Sequence, residues 1–144
     1  MYSPGKFGAG SYARVGLETS VHGASPHELV ALLFQGARRA VRMGRVHMQN
    51  GNIAEKGKLL SHAILIIGGG LQQGLNLEQG GDLAQRLHAL YDYMTRRLLE
   101  ANLQNNPALL DEVDGLLATI EDGWAGIKMQ VNGSAAQAQV ATIR

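Results

Sequence analysis

The sequence predicts an all-α fold, an antiparallel up-down four-helix bundle with a mobile N-terminal arm and a frayed C-terminal tail. Apolar residues recur at intervals of three and four in four separate stretches, each long enough for a helix of about 20 residues. No stretch alternates with period two over the length of a strand. Capping and breaking residues fall between the stretches. They leave two short turns and one connection of about eight residues, the pattern of an up-down bundle.

The first helix is expected from Pro26 to about Met48. Ser25 is a capping residue, Pro26 suits the first helical position, and Glu28 completes a capping box. Asn50-Gly51-Asn52 ends it, and Asn52 with Glu55 offers a second box-like start. The second helix then carries Ile53, Gly57, Leu60, Ile64, Ile67 and Leu71, a heptad-type seam. Gly68-Gly69-Gly70 lies inside it. Each glycine costs about 1 kcal/mol against Ala in a helix interior, so the run predicts close helix approach or a local bend. The third helix follows Gly80-Gly81-Asp82 and carries Leu83, Leu87, Leu90, Met94, Leu98 and Ala101. The fourth starts at Asn106-Pro107 and carries Leu110, Val113, Leu117, Ile120, Trp124, Ile127 and Val131. Trp124 continues the stripe and is expected to be largely buried.

The chain of 144 residues suits one domain. Residues 1–24 hold five glycines and few large apolar side chains, and are read as the flexible arm. Residues 25–131 form the bundle. Residues 132–144, rich in Ala and Gln, are read as the frayed tail.

Composition excludes several function classes. The chain has no cysteine, which removes disulfides, thiolate metal sites and a Cys nucleophile, and fits a reducing compartment. Net charge is +1, which argues against a nucleic-acid binder. The longest apolar run, Ala63 to Ile67, is far too short for stable membrane insertion. The glycine run has no following Lys-Ser/Thr and no preceding strand, so no nucleotide is expected there. His22, His27, His47, His62 and His88 share no metal-ligand spacing. No metal, cofactor or catalytic group is therefore expected. Residues 1–60 hold eight Lys/Arg against three Asp/Glu, and residues 61–144 hold five against nine. Arg38, Arg42 and Arg45 on the first helix should pair with Asp111, Asp114, Glu121 and Asp122 on the fourth.

The more informative feature is surplus apolar surface. Charged residues are 17% of the chain, below the usual ~25%. The first helix has one stripe at Leu29, Leu32, Gly36, Ala40 and Met43, read as core. It has a second at Val30, Leu33, Ala37 and Val41, with Phe34 beside it. The second helix adds Leu59, Ala63, Ile66 and Gly70. A second stripe is either a wide core face or a groove for a partner. The groove reading places client contacts at Val30, Leu33, Phe34, Ala37, Val41, Leu59, Ala63 and Ile66. The third helix contributes Tyr91 and Tyr93, and the arm contributes Tyr12 and Val15.

Several segments carry a family resemblance. They are Ala24-Ser25-Pro26-His27-Glu28-Leu29 with Leu33, Gly36 and Ala37, then Gly51-Asn52-Ile53-Ala54-Glu55-Lys56. Gly74-Leu75-Asn76-Leu77-Glu78-Gln79-Gly80-Gly81 follows. Leu87, Leu90-Tyr91-Asp92-Tyr93-Met94, Arg97-Leu98, Ala101-Asn102 and Trp124 complete the set. In order and spacing, over about residues 12–127, the chain resembles the flagellin export chaperone family, FliS. It departs from that pattern at Gly68-Gly69-Gly70 and at Phe34.

The resemblance implies a cytoplasmic, non-enzymatic chaperone that works without ATP. Such a protein binds the disordered C-terminal segment of flagellin, prevents premature polymerisation and helps present the subunit to the flagellar export gate. The alternative is a helical adaptor for another export or regulatory protein. A client that folds into short helices can lay its apolar faces along bundle grooves, and the arm can cover a groove until the client displaces it.

Overall fold

A computed structural model describes residues 23–134, with side chains to residue 127. Four helices run in sequence: α1 (Pro26–Gln49), α2 (Ile53–Ile66), α3 (Gly81–Gln104) and α4 (Pro107–Ser134). α2 continues as a π-helical segment, Ile67–Gln72. The expected start of α1 is realised in full. The Glu28 amide donates to Ser25 Oγ at 3.1 Å, and the Ser25 amide donates to Glu28 Oε1 at 2.8 Å. Gly51 turns the chain into α2 with φ +77, a conformation that L side chains rarely adopt. Asn52 stands at the N-cap of α2 but does not cap it through its side chain. Its amide reaches back to His47 Nδ1 at 3.0 Å instead.

α3 ends at Asn105, whose left-handed φ of 52 closes the helix, and the Asn106 side chain accepts the Ala108 amide to open α4. α4 reaches Ser134, three residues beyond the expected end at Val131. Most of the arm read at residues 1–24 and of the tail read at residues 132–144 lies outside the described residues.

One core joins the four helices. α1 contributes Val30, Leu33, Phe34, Ala37, Val41 and Met48, and α2 with its π segment adds Leu60, Ala63, Ile66, Ile67 and Leu71. α3 adds Tyr91, Met94, Leu98 and Ala101, and α4 adds Leu110, Val113 and Leu117. Trp124 is half-buried rather than largely buried. Its indole stacks on His27 with ring centroids 4.4 Å apart. Trp124 Nε1 donates to the His27 carbonyl at 3.1 Å, and His27 Nε2 lies 2.9 Å from the Trp124 carbonyl. The pair clamps the start of α1 to α4 at Trp124.

The glycine run meets its expectation of close helix approach and adds a change of helix type. The helix widens to a π segment there, a bulge that glycine tolerates. Gly70 also faces the core so closely that a Cβ would come within 2.9 Å of Leu33 Cδ2.

Candidate functional site

The groove expected on α1 and α2 is the core itself. Val30, Leu33, Phe34, Ala37, Val41, Ala63, Ile66 and Tyr91 are all buried. Their outward placement is corrected: on α2 both stripes supply core residues, and on α1 the second stripe is the core. The stripe assigned to the core of α1 is the one that turns outward. Leu29, Leu32 and Gly36 are half-buried and Met43 is exposed, with only Ala40 fully inside. The reason lies in volume and charge. The Val30–Leu33–Phe34–Ala37–Val41 face offers more apolar bulk, while Arg39 sits within the Leu32–Gly36–Met43 face. An arginine on one stripe was the signal that separates the two.

Glycines then close the α1–α2 interface. A Cβ at Gly44 would meet Leu60 Cδ2 at 2.8 Å, and Gly70 repeats this against Leu33. No room is left there for a client. Leu59 and Tyr93 are the described members of the expected set that reach the surface, each half-buried. Tyr12 and Val15 lie outside the described residues.

The arginine face of α1 meets α4 as expected. Arg38 bonds Asp114 at 2.9 Å and Glu121 at 2.8 Å, Arg42 shares Asp114 at 3.2 Å, and Arg45 grips both oxygens of Asp111 at 2.6 and 3.0 Å. The Asp114 and Glu121 bonds raise the pKa of Arg38 above its ordinary value. Between α3 and α4, Glu112 accepts from Tyr93 Oη and from Arg97 Nε at 2.8 Å. Those two bonds, Tyr93 first, hold the Glu112 carboxyl below its usual range, and the same bond raises the Tyr93 phenol.

The seam between α2 and α3 differs. Lys56 is buried, and its ammonium donates to the Asn102 carbonyl at 2.9 Å. Asn102 lies in the last turn of α3, where orphan carbonyls and the negative helix end favour a cation. Ile53 stands one turn before Lys56 and Leu99 one turn before Asn102, so helical periodicity sets both beside this seam. Leu103 follows Asn102 directly. Ile53 is 54% exposed, Leu99 57% and Leu103 86%. Gly57, one turn after Ile53, has open space where a side chain would stand. Exposed apolar side chains thus stand on both helices near the Lys56–Asn102 bond.

Sequence reasoning placed Ile53 in the core seam and did not single out Leu99 or Leu103. Their signal was an i, i+4 leucine pair lying off the Met94–Leu98–Ala101 stripe. Among the described residues, no three His, Asp or Glu side chains converge as a metal site, and no helix is long and apolar enough to cross a membrane.

Comparison with known proteins follows the same outline. Residues 8–131 match the family model described as flagellar protein FliS. A protein of Salmonella typhimurium (strain LT2) named flagellar secretion chaperone FliS is 47% identical over 120 residues, covering 83% of this chain and 89% of that protein. One of Pseudomonas aeruginosa, flagellar secretion chaperone FliSB, is 47% identical over 116 residues, with 81% and 91% covered. A Bacillus subtilis relative, again named flagellar secretion chaperone FliS, is 34% identical over 109 residues, with 74% and 78% covered. A match along nearly the whole bundle, at this identity, leaves one conclusion: the chain belongs to the FliS family of flagellar proteins.

Proposed function

We propose that the protein is a cytoplasmic flagellar secretion chaperone that binds the disordered C-terminal segment of flagellin without ATP. It withholds that segment from polymerisation and presents the subunit to the flagellar export gate. Its work is binding, with no catalytic step. Family membership supports the chaperone role, and the exposed apolar side chains of the α2–α3 seam support the place of binding.

The observation that carries the site is the exposure of Ile53, Leu99 and Leu103 near the Lys56–Asn102 bond. A disordered segment can fold into short helices as it docks and lay an apolar face along such side chains. Leu59 lies beside Gly44 of α1 and Tyr93 bonds Glu112 of α4, so both stand away from this seam. Ile53→Glu and Leu103→Glu test the reading, because both side chains are exposed and a charge there leaves the core intact. Each variant should keep its melting temperature and bind a flagellin C-terminal peptide at least about tenfold more weakly in calorimetry. Unchanged binding by both folded variants would remove the seam from the client surface.

A further inference from the structure

The outward face of α1 carries a feature that client binding on the α2–α3 seam does not use. Leu32, Gly36, Arg39, Met43 and Val46 follow one another at intervals of four, three, four and three residues. That is the spacing of a helix-pairing seam. α1 turns Gly44 toward α2 and Arg38, Arg42 and Arg45 toward α4, so this stripe faces away from both described neighbours. Met43 is 40% exposed and Val46 46%, at the end of α1 far from residue 23. Gln35, Arg38, Arg39, Arg42, Met43 and Glu121 line an open depression of about 350 Å³ beside it.

The charge on this face is unbalanced. Glu121 closes the α4 side of the depression, but its carboxylate is held by Arg38. Asp114 is shared by Arg38 and Arg42, and the Arg42 side chain remains 59% exposed. Arg39 is exposed and makes no ion pair among the described residues. A surplus guanidinium therefore flanks an apolar strip. Methionine in that strip adapts to varied partner shapes, and an apolar strip exposed among the described residues, with a cation in it, suits a partner with a Leu-type stripe bordered by carboxylates. From Gln35 to Val46 the strip spans about three helical turns at 1.5 Å per residue.

We propose that Gln35, Arg39, Arg42, Met43 and Val46 dock an acidic amphipathic helix of a second protein, at a site separate from the client seam. The probe is a synthetic three-heptad peptide with Leu at the seam positions and Glu at the flanks, with a Lys-flanked twin as control. The full-length protein should bind the Glu peptide and not the twin, and added salt should weaken binding. Arg39→Glu and Met43→Glu should each weaken it about tenfold or more. Both variants should keep their melting temperature and their affinity for a flagellin C-terminal peptide. Failure of the Glu peptide to bind, equal binding of the Lys twin, or indifference to both substitutions overturns the proposal. So does a dimer in sedimentation that Met43→Glu dissolves, which would make the occupant a second copy of this chain.

Discussion

α2 meets α1 along one side and α3 along the other, and the two meetings are built in opposite ways. Against α1 it places Gly70 so near Leu33 that a Cβ would come within 2.9 Å, and α1 answers with Gly44, where a Cβ would lie 2.8 Å from Leu60 Cδ2. Toward α3 it places a buried lysine that reaches a main-chain carbonyl, and the adjacent Gly57 has open space where a side chain would stand. The first side is sealed by packing. The second is joined by a polar bond and leaves large apolar groups to solvent.

The sharpest way to break this contrast is a charge on the sealed side. Leu33→Glu should abolish folding, because an unpaired carboxylate there has neither water nor a cation, and costs of about 3 kcal/mol or more are typical of such burials. Circular dichroism on a thermal ramp reads it. A folded, stable Leu33→Glu protein would show that α1 and α2 part easily and restore the groove to that interface.

Next in size is the clamp at the far end of the bundle. Trp124→Ala removes a half-buried indole, its stacking on His27 and the donor to the His27 carbonyl. Denaturant unfolding should show a loss of about 2–3 kcal/mol, below the range for a fully buried Trp because part of the ring already meets water. A loss under about 0.5 kcal/mol would mean that the end of α4 is held elsewhere.

The two glycines give the finest discrimination. Gly70→Ala should destabilise by about 1–2 kcal/mol, as the new methyl drives Leu33 from its place. Gly57→Ala should instead stabilise by roughly 0.5–1 kcal/mol, since the methyl meets nothing and the unfolded chain loses freedom. Equal signs in paired melts would erase the distinction between the two sides of α2.

The smallest effect belongs to the α3–α4 contact. Glu112 has its folded pKa depressed, chiefly by the Tyr93 hydroxyl and then by Arg97. Its contribution is therefore present above the unfolded carboxyl pKa and lost as pH falls through the folded value. Tyr93→Phe should flatten the acid limb of the stability profile slightly and leave neutral pH almost unchanged, because the groups are solvent-screened. An unaltered acid limb would assign that limb to other carboxylates.

Much of the fold was legible in residue order. Ser25-Pro26-His27-Glu28 carries a complete capping box, Asn106-Pro107 opens α4, and the eight residues 73–80 join α2 and its π segment to α3. The ion pairs of Arg38, Arg42 and Arg45 with α4 followed from charge and adjacency. The candidate site was not legible in the same way. Tyr91 and Tyr93 are two residues apart on one helix, yet Tyr91 is in the core and Tyr93 at the surface. Leu98 is buried and Leu99, its neighbour, is exposed.

The sequence by itself determined the number of helices, their limits to within a few residues, and the family, because capping chemistry and helical period act locally. Beyond the signal of Arg39 on one α1 stripe, tertiary structure decided how deeply each stripe is buried, and that Ile53 would stand outside with Leu99 and Leu103. Period gives every apolar stripe the same claim to burial. Only the packing of four helices, with their bulk, their glycines and the reach of Lys56 to Asn102, settles which claims are met.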